Sequence, residues 1–424
     1  LHSYDEVVYP QDIRACSNCH DAEDPATPDE ANWFEVPTDA ACGACQDDVN
    51  FATGENHGPD IPADNTQCVS CHANNPASRI EVRQAHRMLE REAAAAYAYN
   101  LLGVTSPGAG TAPTATFSVT NPLDNDAPYD LATTPSLADG GLRLSLAWTT
   151  DDYSHVGNGL ENSQPEATAV FDDMGALQAT PNGDGSYDLA LGIVPADQMG
   201  SGVVVFEGAV SDAELGNLGV ANAHRYFAIS DDPNDPTPRR SSVDMARCND
   251  CHDSLAFHGG RNTDSIESCQ TCHNANAARG GIPSRGPMDV KYFLHRKHAV
   301  DDIHYPQSVS NCTGCHTDDG FYPTPASAGV LPTSTNRGVD PLDPFDNDRI
   351  TANTAACSVC HAGDDARIHM EQNGGSVAAC LAPDGTITRR VDVCGGTLGE
   401  VIQESCVVCH GPGRSADTAV VHGL

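Results

Sequence analysis

Residues 248–273 open on Cys248-Asn249-Asp250-Cys251-His252, pass through Phe257-His258-Gly259-Gly260 and close on Cys269-Gln270-Thr271-Cys272-His273. In each Cys-x-x-Cys-His unit two thiols stand one helical turn apart and an imidazole follows at once. Covalent haem attachment requires this arrangement. The two thiols add across the two vinyl groups of one porphyrin, and the next side chain lies under the iron as its proximal ligand. Units packed this closely leave too little side chain for an ordinary apolar core. The porphyrins are therefore expected to form the core, with peptide wrapped around them.

Seven segments carry the motif. Their thiols are Cys16 and Cys19, Cys68 and Cys71, Cys248 and Cys251, Cys269 and Cys272, Cys312 and Cys315, Cys357 and Cys360, and Cys406 and Cys409. The proximal imidazoles are His20, His72, His252, His273, His316, His361 and His410. Structural zinc would use paired Cys-x-x-Cys units without a fixed adjacent His, so the pattern reads as haem c rather than zinc. The 18 His leave eleven outside the motifs, enough to give every haem a second imidazole. The distal candidates are His2, His57, His86, His258, His295, His298, His304, His369 and His422, whereas His155 and His224 read as structural. The six Met are scattered, so His/Met ligation fits poorly. Paired imidazoles hold the potential below that of His/Met and leave no open position on the iron, which favours electron transfer over catalysis.

Acidic residues outnumber basic ones by 59 to 22, a formal charge of −37. Nucleic acid and anionic membrane surfaces are excluded as partners by repulsion. No apolar run is long enough for a transmembrane helix. The first residue is Leu1 rather than Met, as expected if an export signal has been removed. Haem attachment and disulfides both belong outside the cytoplasm.

Chemistry is unevenly spread along the chain. Residues 1–103 form an N-terminal haem segment with three Cys-x-x-Cys units. Val82, Ala85, His86, Leu89 and Ala93 recur at helical spacing, which predicts a helix over 79–102 with His86 on its apolar stripe. Residues 104–230 contain no Cys; alternating runs at 115–120, 142–148 and 203–207, with turn clusters such as Asn182-Gly183-Asp184-Gly185, predict an all-β domain, an Ig-like sandwich or small barrel. Calcium at Asp184 and its acidic neighbours is one reading of that turn, and a solvated hairpin is the simpler one. Residues 231–240 read as a stiff polar linker, and 241–424 as a C-terminal domain with five haem motifs. The fold class is thus multidomain, with haem-organised, mostly irregular or α segments flanking the β domain. Within the last segment, His295 and His298 share a helix face and are placed to serve two adjacent haems. The stretch 317–356, rich in Pro and polar residues, reads as a surface loop. Cys380 and Cys394 belong to no motif and are expected to form a disulfide.

One unit breaks the pattern. Cys42-Gly43-Ala44-Cys45 has the haem spacing, but Gln46 stands where His is expected. The thiols alone make the covalent bonds, so one reading is an eighth haem there, five-coordinate or weakly ligated, with His57 a candidate for its other face; the other is a disulfide or two free thiols without haem.

The chain resembles the OmcA/MtrC family of outer-membrane multihaem cytochromes. In the C-terminal half the resemblance rests on Arg239-Arg240, Val243-Asp244, Cys248–His252, Phe257–Gly260, Cys269–His273, Asp289-Val290-Lys291 leading to His298-Ala299, and Tyr305-Pro306 before Cys312–His316. In the first half it rests on the stretch Asp47 to His57. The resemblance implies a protein on the bacterial cell surface that passes electrons from a porin–cytochrome conduit to metal oxides, flavins or other multihaem cytochromes. It also implies β domains alternating with five-haem domains. This chain departs in having one β domain behind a short front segment.

Two functions from different classes follow. The first is an extracellular electron conductor, acting alone or in a homo-oligomer or filament, with His2 a ligand in its own chain or a neighbour. The second is a multihaem reductase of nitrite or sulfur compounds, which would need the open haem at Cys42 and Cys45.

Overall fold

The computed structural model describes residues 10–18, 20, 29–46, 48–57, 65–73, 79–105, 108–153, 164–278, 286–300, 307–340 and 342–424. It divides into two compact units, Leu1–Glu92 with Cys248–Ser254, and Ala93–Arg247 with Leu255–Leu424.

The first unit holds short helices at Asn32–Glu35, Asp39–Cys42, Val69–His72 and Val82–Ala85. Its described buried apolar residues are Ala15 and Ala73, so hydrophobic burial by the peptide itself contributes little. Polar contacts do the positioning. Asp39 and Asn65 exchange two hydrogen bonds of 3.0 Å each. Asn18 donates to the Asn249 carbonyl at 3.1 Å, and Arg91 pairs with Asp253. The Arg83 guanidinium lies 4.4 Å from the centre of the Phe34 ring.

The second unit is built on a β-sandwich whose strands are all antiparallel. Strands β1 (Ala98–Val104), β2 (Thr114–Asn121) and β3 (Ala127–Pro128) belong to one sheet, β4 (Arg143–Trp148) and β5 (Glu166–Ala169) to the other, while β6 (Thr180–Pro181) and β7 (Tyr187–Ala190) return to the first. Next come β8 (Ser201–Glu207), β9 (Ala209–Asp212), β10 (Gly216–Gly219) and β11 (Ala223–Ala228). The sheet orders are β1-β2-β7-β6, with β3 on β2, and β11-β8-β4-β5, with β9 and β10 as a separate ribbon. Tyr99, Phe117, Val119 and Tyr187 from the first sheet meet Leu144, Leu146, Val204 and Phe206 from the second in one continuous core. Alternation along β2, β4 and β7 places these residues inward, as period-two patterning requires. The hairpin at Asn182–Ser186 is closed by Asp184, whose carboxylate accepts from the Ser186 amide at 2.9 Å and hydroxyl at 2.6 Å.

The helix predicted over 79–102 is not continuous. It breaks into Val82–Ala85 and Leu89–Ala94, and the chain then becomes β1. Long-range pairing overrides the helical preference of the alanine run, because β2 offers a ladder to residues 98–104, shifted in register at Leu102. Tyr99 then stacks on Phe206 at 4.6 Å and donates to the Gly208 carbonyl at 3.3 Å.

The second sheet is buried on both faces. On its outer side Ala147, Tyr153, Val203 and Val205 form a smaller cluster against Tyr226. Tyr226 donates to Glu267 at 2.9 Å, and Glu207, at the end of β8, accepts from Arg143 at 2.7 Å, from Ser145 and from Asn262. These bonds seat helix Ile266–Cys272, which carries a haem motif, on the sandwich. The hairpin of β12 (Ala256–Phe257) and β13 (Asn262–Thr263) precedes it. Residues 231–240 are tied down as well: Thr237 binds Ser201, and Arg239 and Arg240 reach Asp152 at 2.8 and 2.9 Å.

Residues 317–356, expected as a surface loop, are partly interior. They contain β14 (Thr333–Ser334) and β15 (Arg349–Ile350), which join β16 (Ala379–Leu381) and β17 (Ile387–Arg389) in a sheet. Arg349 is fully buried. Its guanidinium donates to the carbonyls of Pro332 at 2.8 Å, Pro344 at 2.6 Å and Ala275 at 3.4 Å, and to the Asn276 side chain at 2.7 Å. The polar loop folds inward because one cation collects its carbonyls. Burial pulls the Arg349 pKa down to about 10, with Asp289 opposing, so the group stays charged at neutral pH. Cys380 on β16 is bonded to Cys394, as expected, with Cα atoms 5.3 Å apart.

Candidate haem-binding sites

Each motif builds its turn in the same way. The amide of the fifth residue donates to the carbonyl of the first Cys, at 2.9 Å for His20, His72, His316 and His410, 3.0 Å for His361 and 2.8 Å for His273. One turn of helix thus sets two thiols and an imidazole on one side of the peptide.

The imidazoles are then oriented through Nδ1. Among the motif residues, His72 donates to the Ile80 carbonyl at 2.7 Å, His252 to Pro10 at 3.0 Å, His273 to Met288 at 2.9 Å, His316 to Ser242 at 2.9 Å and His410 to Ala416 at 3.0 Å. Three non-motif residues use their own helical turn: His86 donates to Val82 at 2.8 Å, His295 to Lys291 at 2.5 Å and His298 to Leu294 at 2.8 Å. A carbonyl only accepts, so the proton sits on Nδ1. In the neutral ring Nε2 is then left as a lone-pair donor, the tautomer that a metal-binding histidine needs. Burial also lowers the pKa of His295 and His316, which keeps both rings neutral.

Among the described residues, five motif imidazoles face five others. The ring centres are 6.0 Å apart for His57 and His72, 6.3 Å for His258 and His273, 5.9 Å for His295 and His316, 6.1 Å for His361 and His422, and 6.1 Å for His369 and His410. The interplanar angles run from 17° to 87° while the separation hardly changes. Direct ring packing would couple angle to distance; a shared atom between the rings would not. Two metal–nitrogen bonds of about 2 Å plus the half-widths of two five-membered rings give about 6 Å. The donors therefore fit a porphyrin iron held between each pair.

Local structure explains several placements. Helix Val290–Val300 carries both His295 and His298, and its first turn is held by Lys291, which pairs with Asp289 and lies 4.0 Å from Asp152. His258 occupies the left-handed region at φ 55°, followed by Gly259 at 71° and Gly260 at 81°. A side chain seldom adopts that backbone, and the two glycines that follow let the hairpin tip turn sharply enough to present it. A side chain at Gly260 would meet the β10 backbone at 3.3 Å, which explains the second glycine. Burial raises the Cys357 thiol, and Cys406, Glu404, Cys360 and Cys312 push it the same way.

Other expected residues stand apart from these pairs. His57 was expected to face the Gln46 site, and the structure brings it to His72 instead. His224 lies on β11 beside Tyr226, at 5.5 Å, in keeping with a structural role. His2, His155, His304 and Cys19 lie outside the described residues. The pairing of His422 with His361 was the least legible, since only its place near the carboxyl end marked it.

The repeated thiol–imidazole turns and facing imidazoles define the class of protein: a multihaem c-type cytochrome. Residues 240–423 match the family model described as outer membrane cytochrome MtrC/MtrF-like, domains II/IV. The chain is 23% identical to the multihaem cytochrome MtrC of Shewanella baltica over 96% of its own length and 61% of that protein's. Its fold is similar to the crystal structure of MtrC from Shewanella baltica, with a TM-score of 0.60 at 19% identity over 96% of this chain and 66% of that one. It is also similar to the outer membrane decahaem cytochrome OmcA, with a TM-score of 0.63 at 19% identity over 99% and 62%. Residues 240–423 thus match the MtrC/MtrF-like model, and the chain as a whole is similar to MtrC and OmcA. It spans less than two thirds of the length of these relatives. No described helix is long and apolar enough to cross a membrane.

Proposed function

We propose that the chain conducts electrons at the outside of a bacterial outer membrane, through a row of haems each closed by two imidazoles. The observation that carries this reading is the set of five histidine pairs at 5.9–6.3 Å. Bound haem supplies an iron that alternates between ferric and ferrous states. The chain's own residues fix everything else. The sixteen motif thiols, from Cys16 to Cys409, hold eight porphyrins by thioethers, the eighth through Cys42 and Cys45. The Nδ1 bonds of His72, His273, His295, His316 and His410 would hold Nε2 toward a bound iron in both redox states, so little would reorganise when an electron arrives. With both axial positions filled, substrate chemistry is blocked at these centres. His86 and His298 carry the same Nδ1 arrangement and are proposed as distal ligands of further haems, and His2 and His304 complete the distal candidates.

The strongly acidic surface suits solubility and favours cationic or mineral partners over nucleic acid. Its redox partners are proposed to be other multihaem cytochromes or a porin–cytochrome conduit on the donor side, and metal oxides or flavins on the acceptor side. Mixing the fully reduced protein with ferric oxide particles or oxidised flavin tests this reading. Reoxidation of all the haems, followed by their visible bands, is expected. Reoxidation of a single haem, or of none, would contradict it.

A further inference from the structure

Gln46 starts from the same backbone position as the motif histidines: its amide donates to the Cys42 carbonyl at 2.9 Å, the same bond that sets His20, His72, His316 and His410. Helix Asp39–Cys42 is capped by the Thr38 hydroxyl, which accepts from the Ala41 amide at 3.1 Å. Gly43, inside the thiol loop, lies under Phe51; a side chain there would come within 3.3 Å of that ring and 2.8 Å of the Asp39 carbonyl. The turn is therefore built like a haem-attachment turn, with a carboxamide where an imidazole belongs. Gln46 is exposed to solvent. The described residues that follow, 48–56, do not supply a replacement imidazole. Asn50 caps a tight turn by accepting from the amides of Ala52 and Thr53, at 3.0 and 3.1 Å, and the chain leads on to His57, which faces His72.

The site is also wired to its neighbour. The paired bonds between Asp39 and Asn65 lock the start of its helix to the turn that opens the Cys68–His72 motif.

We propose that the Gln46 side of the Cys42–Cys45 site is an exchangeable coordination position for a small inorganic ligand with a lone pair, beside a haem closed by His57 and His72. A neutral amide oxygen is a hard, weak donor to iron, and a solute reaching this exposed side chain displaces it far more readily than it displaces an imidazole. Electrons reaching the neighbouring haem then have one centre along the row where a bound molecule meets them.

The inference rests on the eighth haem being attached, so the test separates the two. Intact mass of the denatured protein counts haems, and carbon monoxide titration of the dithionite-reduced native protein counts open positions. Eight haems and about one carbon monoxide per chain are expected. Gln46→His should keep eight haems and either lose the carbon monoxide complex or shift its absorption band, because an imidazole replaces the amide, whereas Gln46→Ala should keep the parent's complex. Seven haems in the parent protein would overturn the eighth-haem reading together with this inference. Eight haems with no carbon monoxide bound would overturn the inference alone, as would a complex in Gln46→His identical to the parent's.

Discussion

His295 and His316 face each other with ring centres 5.9 Å apart and planes 18° from parallel, one held by a carbonyl a helical turn behind it and the other by Ser242. The first bond is local and the second spans 74 residues, so helix Val290–Val300 and the Cys312 motif are positioned independently and meet at the proposed iron. Replacing His295 with Ala should convert one haem to high spin and add about one carbon monoxide-binding site, with the other haems unchanged. His295→Met should restore low spin and raise that haem's potential. Unchanged spin state in His295→Ala, read by magnetic circular dichroism, would remove His295 from the ligand set.

Asp152 joins the sandwich to that helix. It is almost fully buried and receives Arg239, Arg240 and the Leu331 amide, with Lys291 4.0 Å away. Burial alone would raise its carboxyl, but Lys291, Arg240 and Arg239 together outweigh burial and hold it below the usual carboxylate range. Asp152→Ala should cost about 3–5 kcal/mol, because three cations lose their shared partner. A depressed folded pKa means the stabilisation is complete above the unfolded value of about 3.9 and is lost as pH falls through the folded value. Chemical denaturation at pH 7 and in acid measures both. The variant should show a smaller loss of stability on acidification than the parent.

The Cys380–Cys394 bond closes a loop of 14 residues in the sheet that holds Arg349. Its removal should cost about 3 kcal/mol. Alkylation of the denatured, unreduced protein should label neither residue. Labelling of both would show that the bond does not form in the protein.

How much of this was legible varies by residue. The motif cysteines and histidines declare themselves because thioether chemistry fixes their spacing. Strands β2, β4 and β8 follow from alternation, and their boundaries match within two residues. Residues 79–102 misled because Ala-rich helical spacing is a local signal, while β1 forms through a ladder with β2. Arg349 was hidden for a similar reason: its carbonyl partners at Ala275, Pro332 and Pro344 come from three separate segments. Distal histidines were recognisable as a set, but spacing gave no partner for any of them. His57 is the clearest case, since it neighbours Gln46 in sequence yet meets His72 in space.

The central claim, that paired imidazoles close the haems, has a direct spectroscopic signature. Near-parallel rings donate into the same iron orbital and split its partner levels, whereas perpendicular rings donate into both and leave them nearly degenerate. His258–His273 and His295–His316 are near-parallel at 17° and 18°, His361–His422 and His369–His410 near-perpendicular at 83° and 87°, and His57–His72 lies between at 60°. Low-temperature electron paramagnetic resonance of the fully oxidised protein should therefore be dominated by low-spin ferric iron. It should resolve into rhombic signals from the first two pairs and strongly anisotropic, single-featured signals from the perpendicular two. A spectrum dominated by high-spin ferric iron would contradict the account.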